Sequence, residues 1–331
     1  MNILDSLVRN NTLLHSHAAC PVYKVDGFDG YDFAKLGVTS QFLECAESYF
    51  QKYTNPDHFN ALYRIALQQI NLPDRNSIDV LDIGTGGGNS IFALSELLGP
   101  HKLRCLGVDI SPQLLELCSR FAANYGFNEH NLNLLCADLY DLHIQKNSVD
   151  LVTGSSILHH MIDPAPIVEL ALSALRVGGY AVFTEPFEDG HGILTSAYRS
   201  ALMLEGDQKL ELPVGLRTYF KETVQDYDAR KGIGDIREFT KYLDDKWFFT
   251  KSWFQHFAEK HSCSLKILPT HASDETVFWD TFTVLSRLHN GFDVDHTPKW
   301  CEALVKSLDA SFSREQKREI CFTGVVIMHR A

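Results

Sequence analysis

The stretch VLDIGTGGGNS, residues 80–90, decides how the chain is read. Val80, Leu81 and Ile83 belong to a short β-type run, Ile78 to Ile83, that carries an acidic residue, Asp82, near its end. Gly84, Gly86, Gly87 and Gly88 then break the chain, and a helical pattern starts at Asn89. Glycine has no side chain to hold a ligand away and accepts positive φ. Strand, glycine turn and helix N-terminus together therefore predict a nucleotide-type site.

Working outward, the strand and helix patterns alternate from Ser77 to Thr184. The helix Asn89–Leu98 stops at Gly99-Pro100, and LRCLGVDI (103–110) is the next strand. Ser111-Pro112 is a helix start, with serine as N-cap and proline in the first turn. LNLLCAD ends a third strand at Asp138, SVDLVTGSS is a fourth, a helix follows Asp163-Pro164, and GGYAVFTEP is a fifth. Such alternation predicts a doubly wound, Rossmann-like α/β fold with parallel strands and crossover helices on both faces.

Four regions are expected. Residues 1–75 read as a helical cap interrupted by PVYKVDGFDGYDFAKLG, and 76–185 form the core. Residues 186–250 are an aromatic, charged insertion, and 251–331 complete the core sheet with SLKILP and ICFTGVVIMH around a helical insertion. The chain has 331 residues, 45% hydrophobic and 22% charged, with no apolar run that could span a bilayer. Its start lacks a secretory pattern, so a cytoplasmic location is expected. The eight cysteines are scattered with no Cys-x-x-Cys pair and read as reduced thiols. A net charge of −12 without a Lys/Arg cluster disfavours nucleic acid. The expected partner is a small molecule; no membrane is expected, and a homodimer is compatible with the chain.

Three nucleotide sites compete for the loop. A P-loop needs a lysine where the sequence has Asn89-Ser90. A dinucleotide fingerprint needs Gly or Ala at position 89, which is asparagine. The third pattern, Asp-x-Gly-x-Gly-x-Gly, is matched by Asp82, Gly84, Gly86 and Gly88. Here residues 77–185 resemble the class I S-adenosylmethionine-dependent methyltransferases of the small-molecule type. The resemblance implies a seven-stranded sheet with an antiparallel last strand and S-adenosyl-L-methionine as cofactor. Gly84, Thr85, Gly86 and Gly88 would lie against the methionine part, with Asp82 attracting its ammonium group. Asp109, with Ile110, would take the ribose hydroxyls, and Asp138-Leu139 the adenine. Ser155, in GSSILHHM, would run beside the sulfonium.

Methyl transfer from a sulfonium needs mainly alignment, so a base is optional. His159 and His160 of LHHMIDP, and His191 after the fifth strand, are the base candidates, with Glu185 comparable. No metal-binding constellation is visible, and no metal is expected. Tyr31 and Phe187 are the expected substrate contacts, and the stretch Tyr23–Phe33 is expected to close over the cofactor as a lid. A protein or RNA methyltransferase, a silent S-adenosylmethionine-binding module and an NAD-dependent oxidoreductase remain alternatives to a small-molecule methyltransferase.

Overall fold

In the computed structural model of the chain, residues 3–8, 11–15, 20–208, 210–271 and 273–331 are described. The hydrophobic run Ile78–Ile83 becomes a strand whose six residues are all buried, as expected for a strand covered on both faces. It is the centre of a nine-stranded sheet. In chain order the strands are β1 (Asn11–His15), β2 (Val22–Val25), β3 (Ile78–Ile83), β4 (Leu103–Asp109), β5 (Leu132–Cys136), β6 (Val149–Ser155), β7 (Leu175–Pro186), β8 (Cys263–Pro269) and β9 (Thr323–Arg330). Their spatial order is β1-β2-β5-β4-β3-β6-β7-β9-β8. From β2 to β7 every pairing is parallel, while β9 runs antiparallel between β7 and β8. The order reverses at β3, which leaves a crevice at the carboxyl ends of β3, β4 and β6.

Helices cover both faces. Pro56–Leu67, Asn89–Leu98 and Pro112–Ala122 bury Leu62, Tyr63, Ile91, Phe92 and Leu115 on one side. Ile3–Leu7, Ala165–Ala174 and Lys251–Lys260 bury Leu4, Ile167, Val168, Phe254 and Phe257 on the other. Ser111 Oγ accepts the Leu114 amide at 3.2 Å, and Pro112 opens that helix, as the sequence predicts. Among the described residues no helix is long and apolar enough to cross a membrane, and the eight cysteines carry no disulfide.

Two regional expectations need correction. The first 75 residues are not simply a helical cap, because β1 and β2 extend the sheet to nine strands from the expected seven. β2 lies parallel to β5, with Tyr23 opposite Leu135, and supplies partners for an edge that would otherwise present unpaired amides. That pairing ties the start of the Tyr23–Phe33 stretch into the sheet.

The second correction joins two insertions. Glu188–Gln208 and Val214–Arg230, from the first, share one apolar core with Val277–Asn290 and Lys299–Ser311, from the second. Tyr198, Phe220 and Phe282 lie at its centre, with the Tyr198 and Phe220 rings stacked at 4.3 Å. Burial of this shared apolar surface holds the two insertions together.

Candidate active site

The glycine loop is shaped from below by Asp82. Its carboxylate is fully buried and accepts from Thr85 Oγ1 at 2.5 Å and from Thr153 Oγ1 at 2.7 Å. Burial raises Asp82 from 3.8 to about 7. Because the folded value is the higher one, the protonated carboxyl is the form folding favours. Its contribution is complete below about pH 4 and is lost as pH rises through 7. Asp82→Asn is expected to flatten this part of the stability profile between pH 4 and 8, at most about 4 kcal/mol. Urea unfolding at several pH values checks it, and an unchanged slope would contradict it.

Above Asp82 the loop takes positive φ at Gly84 (66°), Gly86 (50°) and Gly88 (96°). A Cβ on Gly84 would lie 2.4 Å from the Ile157 side chain, and one on Gly87 would lie 2.2 Å from Phe50. The glycines thus admit neighbouring side chains as well as a ligand. Gly86 differs: a Cβ there meets nothing nearer than Leu114 at 4.0 Å, because it faces a cavity of about 240 Å³.

Gly84, Thr85, Gly86, Asn89, Asp109, Ile110, Asp138, Leu139 and Ser155 line that cavity. Asp109 Oδ2 accepts the Gly86 amide and Oδ1 the Ser111 amide, both at 2.8 Å. Each oxygen keeps a lone pair for a further donor. Burial raises Asp109 above its usual carboxylate value, and it raises Asp138 likewise. Asp138 Oδ1 accepts the Tyr140 amide at 2.9 Å. Ser155 Oγ lies 3.0 Å from the Tyr63 hydroxyl and 3.2 Å from Ser90 Oγ. The roof is aromatic: Phe42, Tyr49, Tyr53 and Phe59 line it, with Leu36 and His58. Phe42 and Tyr49 meet edge to face at 4.9 Å.

The turn after β6 forms the far wall. Glu185, fully buried at the end of β7, accepts the amides of Ile157 at 3.0 Å and Leu158 at 2.8 Å. Its other oxygen lies 2.6 Å from His159 Nδ1. The segment Asp244–Phe249 latches on from outside: the Lys246 amide donates to His159 O at 2.7 Å, and Trp247 Nε1 donates to Met161 O at 2.8 Å. Burial would push His159 down, but Glu185 and Asp245 outweigh it and raise the imidazole to about 9. Burial, with the His159 charge, pushes His160 down to about 3. The two neighbouring imidazoles are thus pushed in opposite directions, His159 toward its protonated form and His160 toward its neutral one.

His160 lines the first cavity. His159 faces a second one of about 380 Å³ with His191, Glu222, Arg230 and Asp245. Ser156, at φ 54°, lines both.

Residues 74–211 match a methyltransferase-domain family. Those residues form a methyltransferase domain. The chain is 30% identical over 157 residues to a malonyl-[acyl-carrier protein] O-methyltransferase of Marinomonas, covering 46% of this chain and 54% of that protein. It is 31% identical over 117 residues to a ubiquinone biosynthesis O-methyltransferase of Coxiella burnetii, covering 35% and 46%. The chain thus spans about half the length of the curated relatives it matches. A solved phosphoethanolamine N-methyltransferase of Haemonchus contortus aligns over 87% of this chain and 57% of its own, with TM-score 0.47 and 15% identity. S-adenosylmethionine is the cofactor of this methyltransferase domain.

Set against the methyltransferase domain, some expected residues fall elsewhere. Asp82 and Gly88 do not line the cavity. Asp82 is held beneath the loop by its two threonines. Gly88 precedes the helix Asn89–Leu98, where a Cβ would lie 2.7 Å from Cys118 Sγ. Tyr31 is 36% exposed and lines neither cavity. Phe187 is fully buried against Phe254, because β7 carries it into the core. His191, on the first turn of Glu188–Gln208, does line the second cavity, its ring 4.4 Å from that of Phe248.

Residues that no motif announced also line the two cavities. Tyr49 and Tyr53 come from a helix before the core, and Asp245 and Arg230 from the insertion. Their only sequence signals are the aromatic density of SYFQKY and the buried-looking run DDKWFF.

Proposed function

We propose that the chain transfers a methyl group from S-adenosylmethionine, held in the first cavity, to an oxygen of a small polar acceptor held in the second. One observation carries this reading: Ser156 is a shared wall of both cavities, so a sulfonium on one side and a nucleophile on the other can meet there. Gly84 to Gly86 take the methionine part, Asp109 the ribose hydroxyls, and Asp138 with Leu139 the adenine. Asp109→Ala is expected to weaken S-adenosylhomocysteine binding by about 1.5–3 kcal/mol, read by calorimetry. Unchanged affinity would remove Asp109 from the site.

The reaction is an in-line displacement in which the nucleophile bonds to the methyl carbon as the carbon–sulfur bond breaks and sulfur becomes neutral. Alignment and exclusion of water carry it, an orientation effect worth roughly 7–11 kcal/mol. The aromatic roof of Phe42, Tyr49, Tyr53 and Phe59 supplies cover. Arg230 and Glu222 give the second cavity both signs of charge, which suits a polar acceptor. The two curated relatives named above are O-methyltransferases, which favours oxygen.

Incubation with methyl-labelled donor and a fractionated metabolite pool tests the reading. Label should pass to a small molecule as S-adenosylhomocysteine forms. Label found only in protein or RNA would overturn the small acceptor. S-adenosylmethionine binding without transfer to any fraction would leave a binding module.

A further inference from the structure

We propose that His159, His160 and Asp245 form a binding site for one divalent transition-metal ion at the wall between the two cavities. One donor atom from each residue lies within 4.8 Å of the others. His160 Nδ1 is 3.3 Å, and His159 Nε2 3.5 Å, from the same oxygen, Asp245 Oδ1. Donors bound at about 2.0–2.2 Å to one ion stand roughly 3–4.4 Å from each other, so the trio needs little movement to close on an ion.

Ion pairing alone explains this arrangement less well. Charge-assisted hydrogen bonds run at about 2.7–2.9 Å, and His159 makes such a close contact on its other nitrogen, to Glu185 at 2.6 Å. Toward Asp245 both imidazoles stop short and converge on one point. The arrangement behind the trio is that of a supported metal ligand set. Glu185 fixes the His159 ring while itself held by the Ile157 and Leu158 amides. Arg230 Nη1 faces the other oxygen of Asp245, Oδ2, at 3.5 Å, leaving Oδ1 to the histidines. The Asp244 carbonyl accepts from His160 Nδ1 at 3.1 Å and from Lys246 Nζ at 3.3 Å, so an ion on Nδ1 takes the place of that ring proton. The buried Lys246 ammonium, which opposes a cation, is directed to the carbonyls of Leu243 and Asp244.

Two imidazoles and one carboxylate select zinc, cobalt, iron or manganese over magnesium and calcium. Three protein ligands leave coordination positions open to a further group. Ion binding stands on this geometry alone, whereas a role in methyl transfer rests on the function proposed above. In that role an ion held by His159, His160 and Asp245 would act as a Lewis acid that eases loss of an acceptor hydroxyl's proton to solvent, leaving its oxygen to take the methyl as the carbon–sulfur bond breaks.

The chain, stripped with a chelator, is titrated with Co²⁺ by absorbance and with Zn²⁺ in competition with a chromophoric chelator. One ion per chain is expected, with affinity lowered at least about 10-fold in Asp245→Ala and His159→Ala. Asp245→Asn, the milder change, serves if the alanine variants do not fold. Retained S-adenosylhomocysteine binding reports that a variant is folded, since neither residue lines the cofactor cavity. A wild-type chain that binds S-adenosylhomocysteine but neither ion overturns the metal site alone. Ion binding equal in wild type and all folded variants overturns it as well. Failure to bind S-adenosylhomocysteine counts against the cofactor reading and leaves the ion titration standing.

Discussion

Gly86→Val is expected to abolish cofactor binding in a chain that still folds. Gly86 has φ 50°, and a Cβ placed on it meets only Leu114, at 4.0 Å. The added isopropyl group therefore enters the cavity rather than the protein interior. Positive φ costs a β-branched residue about 1–2 kcal/mol, which a domain of this size withstands. The ligand meets a side chain where it needs bare backbone, and its affinity for S-adenosylhomocysteine should fall by more than about 100-fold, roughly 3 kcal/mol. Gly84→Val provides the contrast. Its side chain would collide with Ile157 at 2.4 Å, so it should lower thermal stability as well as binding. Calorimetry and thermal unfolding separate the two variants. Wild-type affinity in Gly86→Val would mean that the ligand does not lie on this loop.

The largest loss of stability is expected from Glu185→Ala. The carboxylate is fully buried, accepts the amides of Ile157 and Leu158, and meets the His159 imidazole at 2.6 Å. Alanine leaves those donors unpaired away from water, and breaking a buried ionic contact by removing one partner costs about 3–5 kcal/mol. For a chain of this length that is a fall in Tm on the order of 10 °C. Glu185→Gln keeps an acceptor for the two amides and should lose clearly less. Equal Tm in Glu185→Ala and wild type would show that the turn after β6 does not depend on Glu185.

The core was legible because its signals are local. Buried β runs, a glycine cluster and Ser111-Pro112 each fix a short piece of backbone, and parallel crossover units then admit few topologies. Asp109, Asp138 and Ser155 could be placed because the ends of adjacent parallel strands share one crevice. Asp82 lies off the cavity wall for a physical reason. A carboxylate one residue before the strand end points to the opposite side from its neighbours, and here that side holds Thr85 and Thr153.

The rest depended on long-range packing. VYKV alone does not reveal that it will cover the edge of β5 more than 100 residues away. Likewise, nothing in YLDDKWFF announces that Asp245 will stand beside His159 and His160, 85 or more residues earlier. A search by spacing finds metal-type clusters only when the ligands share one helix or loop, and this trio spans two segments. The aromatic roof is likewise a product of long-range packing. Phe42, Tyr49 and Tyr53 read as ordinary helix-core residues until the helix is laid over the glycine loop.

Titration calorimetry of the wild-type chain with S-adenosylhomocysteine, and separately with NADH, tests the central claim most directly. The account predicts saturable one-site binding of S-adenosylhomocysteine and no heat from NADH. Binding of NADH with no binding of S-adenosylhomocysteine would contradict it.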